Sequence, residues 1–437
     1  MSKTIITGAK IFDASGGAPF EGDVVVEDGR ISALSKTPGQ ISQAGCEVIH
    51  GKGLFLMPGM TEGHTHLSYD NVGAPEDLVK PPPEEHTLLS ARVAKRLLDQ
   101  GFTSAYGAGE AKLRLGVAIR NEIDAGRLPG PRIRAASQEI TVTGAVGDES
   151  MVHYARQGPS IIVDGPEEMR KAVRLCCREG CDNIKLAVSG DPFYPNMPAN
   201  STPMSLEEIR MAVETAHNLG RKVNAHTRSL EGTKRCLAAG VDVLYHVEYT
   251  DKETLDKLEA AKDRIFVAPS VGLLHTMLYE AAPFGVSKEI ATAMGIAELL
   301  ELSARTHTEL RKRGIRHLIG GDYGLGFNPN GTNARDLKYF VDYYGYSPEG
   351  AMLCATRNGG LVMRAAGDLG TISLGALADL LLVDGDPLKD LSIMTDAKRL
   401  VLIMKGGVVY KNTRSSIDAR AQRGIASSAA SESYEVS

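Results

Sequence analysis

The feature that most constrains this chain is a rhythm. Between residues 60 and 344, short apolar runs alternate with stretches of helical periodicity. Candidate strands lie at 60–66, 103–107, 131–137, 182–188, 222–226, 242–247, 264–268 and 316–322. Candidate helices lie near 84–100, 112–126, 166–179, 205–219, 229–239, 251–262, 287–313 and 332–344. Eight strands, each followed by a helix, predict an α/β fold of the closed parallel (β/α)8 TIM-barrel type.

The ends of the chain have a different texture. Residues 3–57 read as short strands and turns, with Asp28-Gly29 at the turn of a hairpin. Strand-like runs return at Leu380-Leu381-Leu382-Val383 and Val401-Leu402-Ile403-Met404. A small β-sandwich domain assembled from both termini accounts for them. The expected division is 1–57 and 367–413 for that domain, 58–366 for the barrel and 414–437 for a tail. The tail, rich in Ser, Ala and charge, offers little to bury; it is expected to be mobile or laid across a neighbouring subunit. The 437 residues suffice for one large barrel and a small accessory domain.

Composition excludes several function classes. A net charge of −5 gives no basic footprint for nucleic acid. No apolar run approaches the roughly 18 residues of a membrane-spanning helix. The start, Met1-Ser2-Lys3-Thr4, lacks the pattern of a signal peptide. The six cysteines form no C-x-x-C pair and read as reduced thiols. A cytoplasmic protein acting on a small molecule is expected.

The sharpest local signal is Pro58-Gly59-Met60-Thr61-Glu62-Gly63-His64-Thr65-His66. Residues i and i+2 of a strand share a face, so His64 and His66 point together from the C-terminal end of the first barrel strand. That end carries the active site in barrels of this type. Two converging imidazoles suit Zn²⁺ or a similar divalent ion. Two polar residues ending a strand are the plain alternative. His226, His246 and Asp322 each end another candidate strand, and Lys185 lies inside a fourth, Asn183-Ile184-Lys185-Leu186-Ala187-Val188. The set recurs at strand ends and consists of ligand residue types.

Lys185 requires its own account. A charged lysine in an apolar strand is costly unless paired. Burial lowers its pKa, and a neutral amine reacts with CO₂ to give an anionic carbamate able to bridge two cations. A lysine reaching the barrel rim, or paired with a carboxylate, is the other reading. Arg228, two residues after His226, would favour a carboxylate or polar carbonyl substrate if it faces the pocket; a surface arginine opening the next helix is the alternative. His50, His86, His153, His217, His275, His307 and His317 read as surface or packing residues, His275 with some claim to the pocket.

At these residues the sequence resembles the metal-dependent amidohydrolase superfamily, most closely its imidazolonepropionase-related branch of Xaa-Pro dipeptidases, metallo-carboxypeptidases and ochratoxin-type amide hydrolases. Gly331-Thr332-Asn333-Ala334-Arg335-Asp336-Leu337, Gly370 to Leu380 and Asp384-Gly385-Asp386-Pro387-Leu388 also match, and the likeness spans about residues 3–412. The resemblance implies a binuclear hydrolase. His64, His66 and Asp322 would bind one metal, His226 and His246 the other, and carboxylated Lys185 would bridge them. Zn²⁺ is expected, with Mn²⁺ or Co²⁺ as alternatives. Two departures touch the pocket. Thr143-Gly144-Ala145-Val146-Gly147-Asp148 lacks the histidine many members carry there, and Asn330-Gly331 stands where many have His-Gly.

The expected reaction is cleavage of an amide-type C–N bond, in a peptide-like or N-acyl amino acid substrate, by a metal-activated hydroxide. Asp322 would move the proton from water to the leaving amine. The alternatives are a carbamate, thiocarbamate or aryl-urea hydrolase, an enzyme opening or deaminating a cyclic amide or amidine, and a non-catalytic barrel. Oligomers are common in the branch, so a homo-oligomer is expected.

Overall fold

The computed structural model describes residues 3–153, 156–194, 196–364 and 366–413. The expected tail, 414–437, lies outside the described residues.

The middle of the chain is α/β with parallel sheets. Met60–Thr65, Phe102–Gly107 and Arg132–Arg134 form a three-stranded sheet in that order. Ile161–Ile162, Ala136–Thr141, Asn183–Ala187, Lys222–Thr227, Val243–His246 and Phe266–Ala268 form a six-stranded one. Every pairing in both sheets is parallel. Parallel neighbours need a long crossover, and helices supply it. Pro83–Asp99, Leu115–Asp124, Pro166–Arg178, Leu206–Asn218, Leu230–Ala239 and Lys252–Ala260 follow the sequence reading to within a few residues. Their local signals are clear. Ser205 caps Leu206–Asn218 in a capping box with Glu208, and Gly240 (φ 92°) stops Leu230–Ala239. Only Ala135 separates Arg132–Arg134 from Ala136–Thr141, so the third predicted strand is one path that leaves one sheet and enters the other.

Two predicted elements differ, and helices beyond the predicted eight occur. The expected helix 287–313 is two, Lys288–Ala293 and Ile296–Lys312, because Gly295 adopts φ 86° and breaks the helical path. Val271–Tyr279 is a further helix; its run VGLLHTMLY is apolar nearly all round and carries no helical stripe to read. Residues 316–322 form no ladder. Instead Val267 N donates to Arg316 O (3.1 Å), Leu318 N to Val267 O (2.9 Å) and Gly63 N to Ile319 O (2.8 Å). The segment therefore touches the last strand of the larger sheet and the first strand of the smaller one. Gly63 permits the second approach, since a Cβ there would lie 2.7 Å from Ile319 O.

The two termini share one eight-stranded sheet, built from strands before residue 59 and after residue 379. Leu380–Val383 joins the halves by pairing antiparallel with Phe55–Pro58. Asp28 (φ 52°) and Gly29 (φ 76°) make the expected tight turn between Phe20–Glu27 and Arg30–Ser35. The strands form one connected sheet, in which Lys3–Ile11 pairs with Phe20–Glu27 on one side and with Glu47–His50 and Phe55–Pro58 on the other. The two-residue period of the strands sorts their side chains. Leu54, Leu56, Leu380, Leu382, Leu402 and Met404 enter the sheet's own apolar cluster. Phe55, Met57, Leu381, Val383 and Ile403, on the opposite face, join the large cluster of the α/β part. Each of these buried side chains contributes about 1.5–3 kcal/mol, which fastens the sheet to its neighbour. Among the described residues no helix is long and apolar enough to cross a membrane.

Candidate active site

The strand ends bring the expected residues together. His64 and His66 lie on one face with ring centroids 5.1 Å apart. His64 lies 5.5 Å from His246, and His246 lies 4.4 Å from His226, measured between rings. Asp322 Oδ1 is 3.2 Å from His66 Nε2 and 3.7 Å from His64 Nε2. Donor atoms of His64, His246 and Asp322 all fall within 4.8 Å of one another. Lys185 reaches the same place from the neighbouring strand. Its Nζ lies 4.7 Å from the centre of the Tyr245 ring, and that ring stacks on His64 at 3.9 Å.

Backbone geometry aims these groups. His246 (φ 75°), at a strand end, and Ser270 (φ 61°) and Asp322 (φ 58°), in the loops beyond, are left-handed, a region strained for a non-glycine residue. The chain turns sharply there, and the side chains face inward rather than continuing the ladder.

Second partners fix the imidazoles. His66 Nδ1 donates to Gly109 O (2.8 Å), and His226 Nε2 donates to Gly190 O (3.1 Å). Carbonyl oxygens only accept, so in the neutral rings His66 Nε2 and His226 Nδ1 keep bare lone pairs. His64 Nδ1 meets Ser270 Oγ at 2.7 Å. His246 Nδ1 is buried with no hydrogen-bond partner among the described residues. A lone pair on His66 Nε2 facing a carboxylate oxygen at 3.2 Å is repulsive unless a proton or cation lies between them. The donor set of imidazole nitrogens and one carboxylate therefore fits divalent metal ions such as Zn²⁺.

Electrostatics follow from burial. Burial holds the His64 and His246 rings well below the usual imidazole range and lowers His226. Burial also lowers Lys185, against the pull of Glu139 and Asp322. For Asp322, burial favours the neutral acid, but His64, His66 and Lys185 outweigh it and hold the carboxyl well below its ordinary range.

Arg228 is not a surface arginine. Its side chain is 1% exposed, with Nε donating to Asp191 Oδ2 (2.8 Å) and Nη1 to Glu248 Oε1 (2.5 Å). Burial pushes the Glu248 carboxyl up to about 7 even with the guanidinium beside it.

A model of the amidohydrolase family matches residues 55–410. The chain belongs to the amidohydrolase family. This amidohydrolase is similar to the ochratoxinase of Aspergillus niger, 26% identical over 381 residues that cover 82% of this chain and 75% of that protein. It is also similar to the imidazolonepropionase of Shewanella sediminis, 22% identical over 395 residues, or 84% and 88% of the two chains. Its structure superposes on the crystal structure of a Xaa-Pro dipeptidase with TM-score 0.83 and 26% identity, covering 94% of this chain and 100% of that one. It is thus a hydrolase acting on carbon–nitrogen bonds of the amide type, in the imidazolonepropionase-related branch.

Several groups around the site of this amidohydrolase escaped the sequence reading. Glu139 pairs in register with Lys185 and lies 3.6 Å from its Nζ. Ser270 and Tyr245 contact His64. Asp191 and Glu248 enclose Arg228. Glu139 and Ser270 lie two residues past the predicted ends of the third and seventh strands, where the polar residues just beyond a strand are the signal; nothing local marks the others. Asn330, in place of the histidine of many members, donates to Tyr69 O (2.8 Å), and Tyr69 stacks on His66 at 4.4 Å.

Proposed function

We propose that this amidohydrolase cleaves an amide-type C–N bond in a peptide-like or N-acyl amino acid substrate at a two-cation centre. His64, His66 and Asp322 would hold one cation and His226 and His246 the other, and Lys185, carboxylated by CO₂, would supply a carboxylate to both. The observation that carries this reading is an unmatched ring nitrogen: among the described residues His246 Nδ1 is buried without a partner, and His66 Nε2 faces Asp322. Bound divalent cations supply Lewis acidity, lowering the pKa of a water and polarising the substrate carbonyl.

The chain's own residues do the rest. Asp322 accepts the proton of the attacking water and returns it to the leaving nitrogen, which must depart as a neutral amine. Gly109 O, Gly190 O and Ser270 hold three rings in place through the transfer. Burial of the four imidazoles keeps bulk water from competing for the lone pairs. Arg228 is the group assigned to a substrate carboxylate or carbonyl. Two of its donors already serve Asp191 and Glu248, so it would act as a fixed rather than a mobile charge.

In the same reading, 58–366 is a closed (β/α)8 barrel completed by residues 316–319. Residues 1–57 and 367–413 form the accessory β domain. The protein works as a cytoplasmic homo-oligomer, in keeping with its six free thiols.

The test joins metal content to substrate choice. Chelation should abolish activity, and Zn²⁺, Mn²⁺ or Co²⁺ should restore it with two ions per chain by elemental analysis. Full activity of metal-free protein overturns the proposal. A panel of N-acyl amino acids, Xaa-Pro dipeptides, and aryl carbamates or ureas tests the bond. Turnover confined to the carbamates or ureas would reject the amide assignment.

A further inference from the structure

His246 leaves its strand in a left-handed turn, and Val247 (φ 59°) follows it in the same region. The turn swings the His246 carbonyl away from the sheet. It does not go unpaired. His307, on the helix Ile296–Lys312, donates from Nε2 to His246 O at 2.7 Å. His307 Nδ1 meets His317 Nε2 at 3.0 Å, and His317 Nδ1 meets Tyr346 Oη at 2.8 Å. His307 and His317 are fully buried.

The direction of this chain follows from its inner end. A carbonyl oxygen only accepts, so His307 Nε2 carries hydrogen. With each ring in its neutral form, one nitrogen carries hydrogen and the other accepts. Neutral His307 then has a bare Nδ1, which must accept from His317 Nε2–H. Neutral His317 has a bare Nδ1, which must accept from the Tyr346 hydroxyl. Every donor is matched, and one order remains: Tyr346, then His317, then His307, then the His246 carbonyl.

We propose that this relay is a positioning device, in which His307, oriented by His317 and Tyr346, locks the strained turn that aims the His246 ring into the site. The inference rests on the proposed role of His246 as a ligand, but the lock itself is a property of the metal-free chain. It joins the end of the sixth strand to the outer helix and to the segment 316–319, whose distal end leads to Asp322. The relay thus couples the placement of two site residues that lie 76 positions apart in the chain. His307 touches no reacting atom and acts through His246.

The experiment compares His307→Gln with His307→Leu. Glutamine keeps an N–H donor at a similar reach; leucine fills the space and offers none. In metal-free protein, amide hydrogen exchange over residues 244–249 should quicken at least tenfold in H307L and stay near wild type in H307Q. Chelator competition should show H307L holding one ion at least tenfold more weakly, with kcat falling more than KM changes at saturating metal. H307Q should recover most of both effects. Wild-type exchange in H307L, or equal exchange in the two variants, overturns the lock. If exchange responds as expected but neither variant alters metal affinity, the lock stands and the ligand role of His246 fails.

Discussion

Lys185 and Glu139 occupy partnered positions on adjacent parallel strands, with Nζ and Oε1 3.6 Å apart. Lys185 also donates to Ala108 O at 2.8 Å and is 2% exposed. The proposed function gives the lysine two states: an ammonium beside a carboxylate, or a carbamate once the amine has lost its proton and combined with CO₂. In the second state Lys185→Ala loses at least one metal ion per chain, and short carboxylic acids plus metal restore part of the activity. Elemental analysis with acid rescue decides it. An unchanged metal count in K185A rules out the bridge.

Arg228 sits between Asp191 and Glu248, both buried. Removing one member of such a group leaves charge stranded in the interior. Arg228→Met is expected to destabilise the fold by about 3–5 kcal/mol, and Arg228→Lys to recover only part, because one ammonium does not reproduce the fork of the guanidinium. Denaturant unfolding measures this. If Arg228 also receives a substrate carboxylate, R228K should raise KM for acidic substrates more than for their amides. An equal rise for both would remove it from substrate binding.

Gly320 lies against the first strand. A Cβ there would come 2.6 Å from His64 N and 2.7 Å from His64 Cβ. Gly320→Ala should therefore cost about 1–3 kcal/mol through overpacking and displace His64. The expected outcome is weaker metal binding together with a lower unfolding midpoint. Wild-type metal affinity in G320A would mean that the strand yields elsewhere.

Asp336 accepts from Gly320 N (2.8 Å) and from Tyr323 Oη (2.9 Å). Burial pushes its carboxyl up to about 7. An unfolded aspartate titrates near 4. Between those values the folded state keeps a proton that the unfolded state releases. Stability from this group therefore falls as pH rises from about 4 to about 7 and is level above that, by a total on the order of 4 kcal/mol. Asp336→Asn removes the titration. The difference in unfolding free energy between wild type and D336N should shift across this window, with wild type losing ground toward pH 8. A constant difference from pH 5 to pH 8 would show that Asp336 ionises normally.

The sequence by itself determined the alternation of strands and helices between residues 60 and 268 and most of their ends. It also marked His64, His66, Lys185, His226, His246 and Asp322 as one set. That much is local: a two-residue period decides which strand side chains share a face, and Ser, Gly and Pro announce where helices begin and end. It misjudged the helix at 287–313, because one glycine in a long periodic run is a tolerable defect unless tertiary packing selects its left-handed form, as it does at Gly295.

Only the tertiary structure decided the rest. Histidine and aspartate enter left-handed turns more readily than most residues but do so only in a minority of places, and packing selected that form at His246 and Asp322. Whether Lys185 meets Glu139, or Arg228 meets Asp191 and Glu248, depends on strands and loops that approach only after folding. His307 and His317 read as packing residues in the sequence. Their hydrogen bonds to His246 O and Tyr346 became visible only once a helix and two strand ends were laid side by side. Periodicity is written into neighbouring residues; the partner of a buried polar atom is chosen by the whole fold.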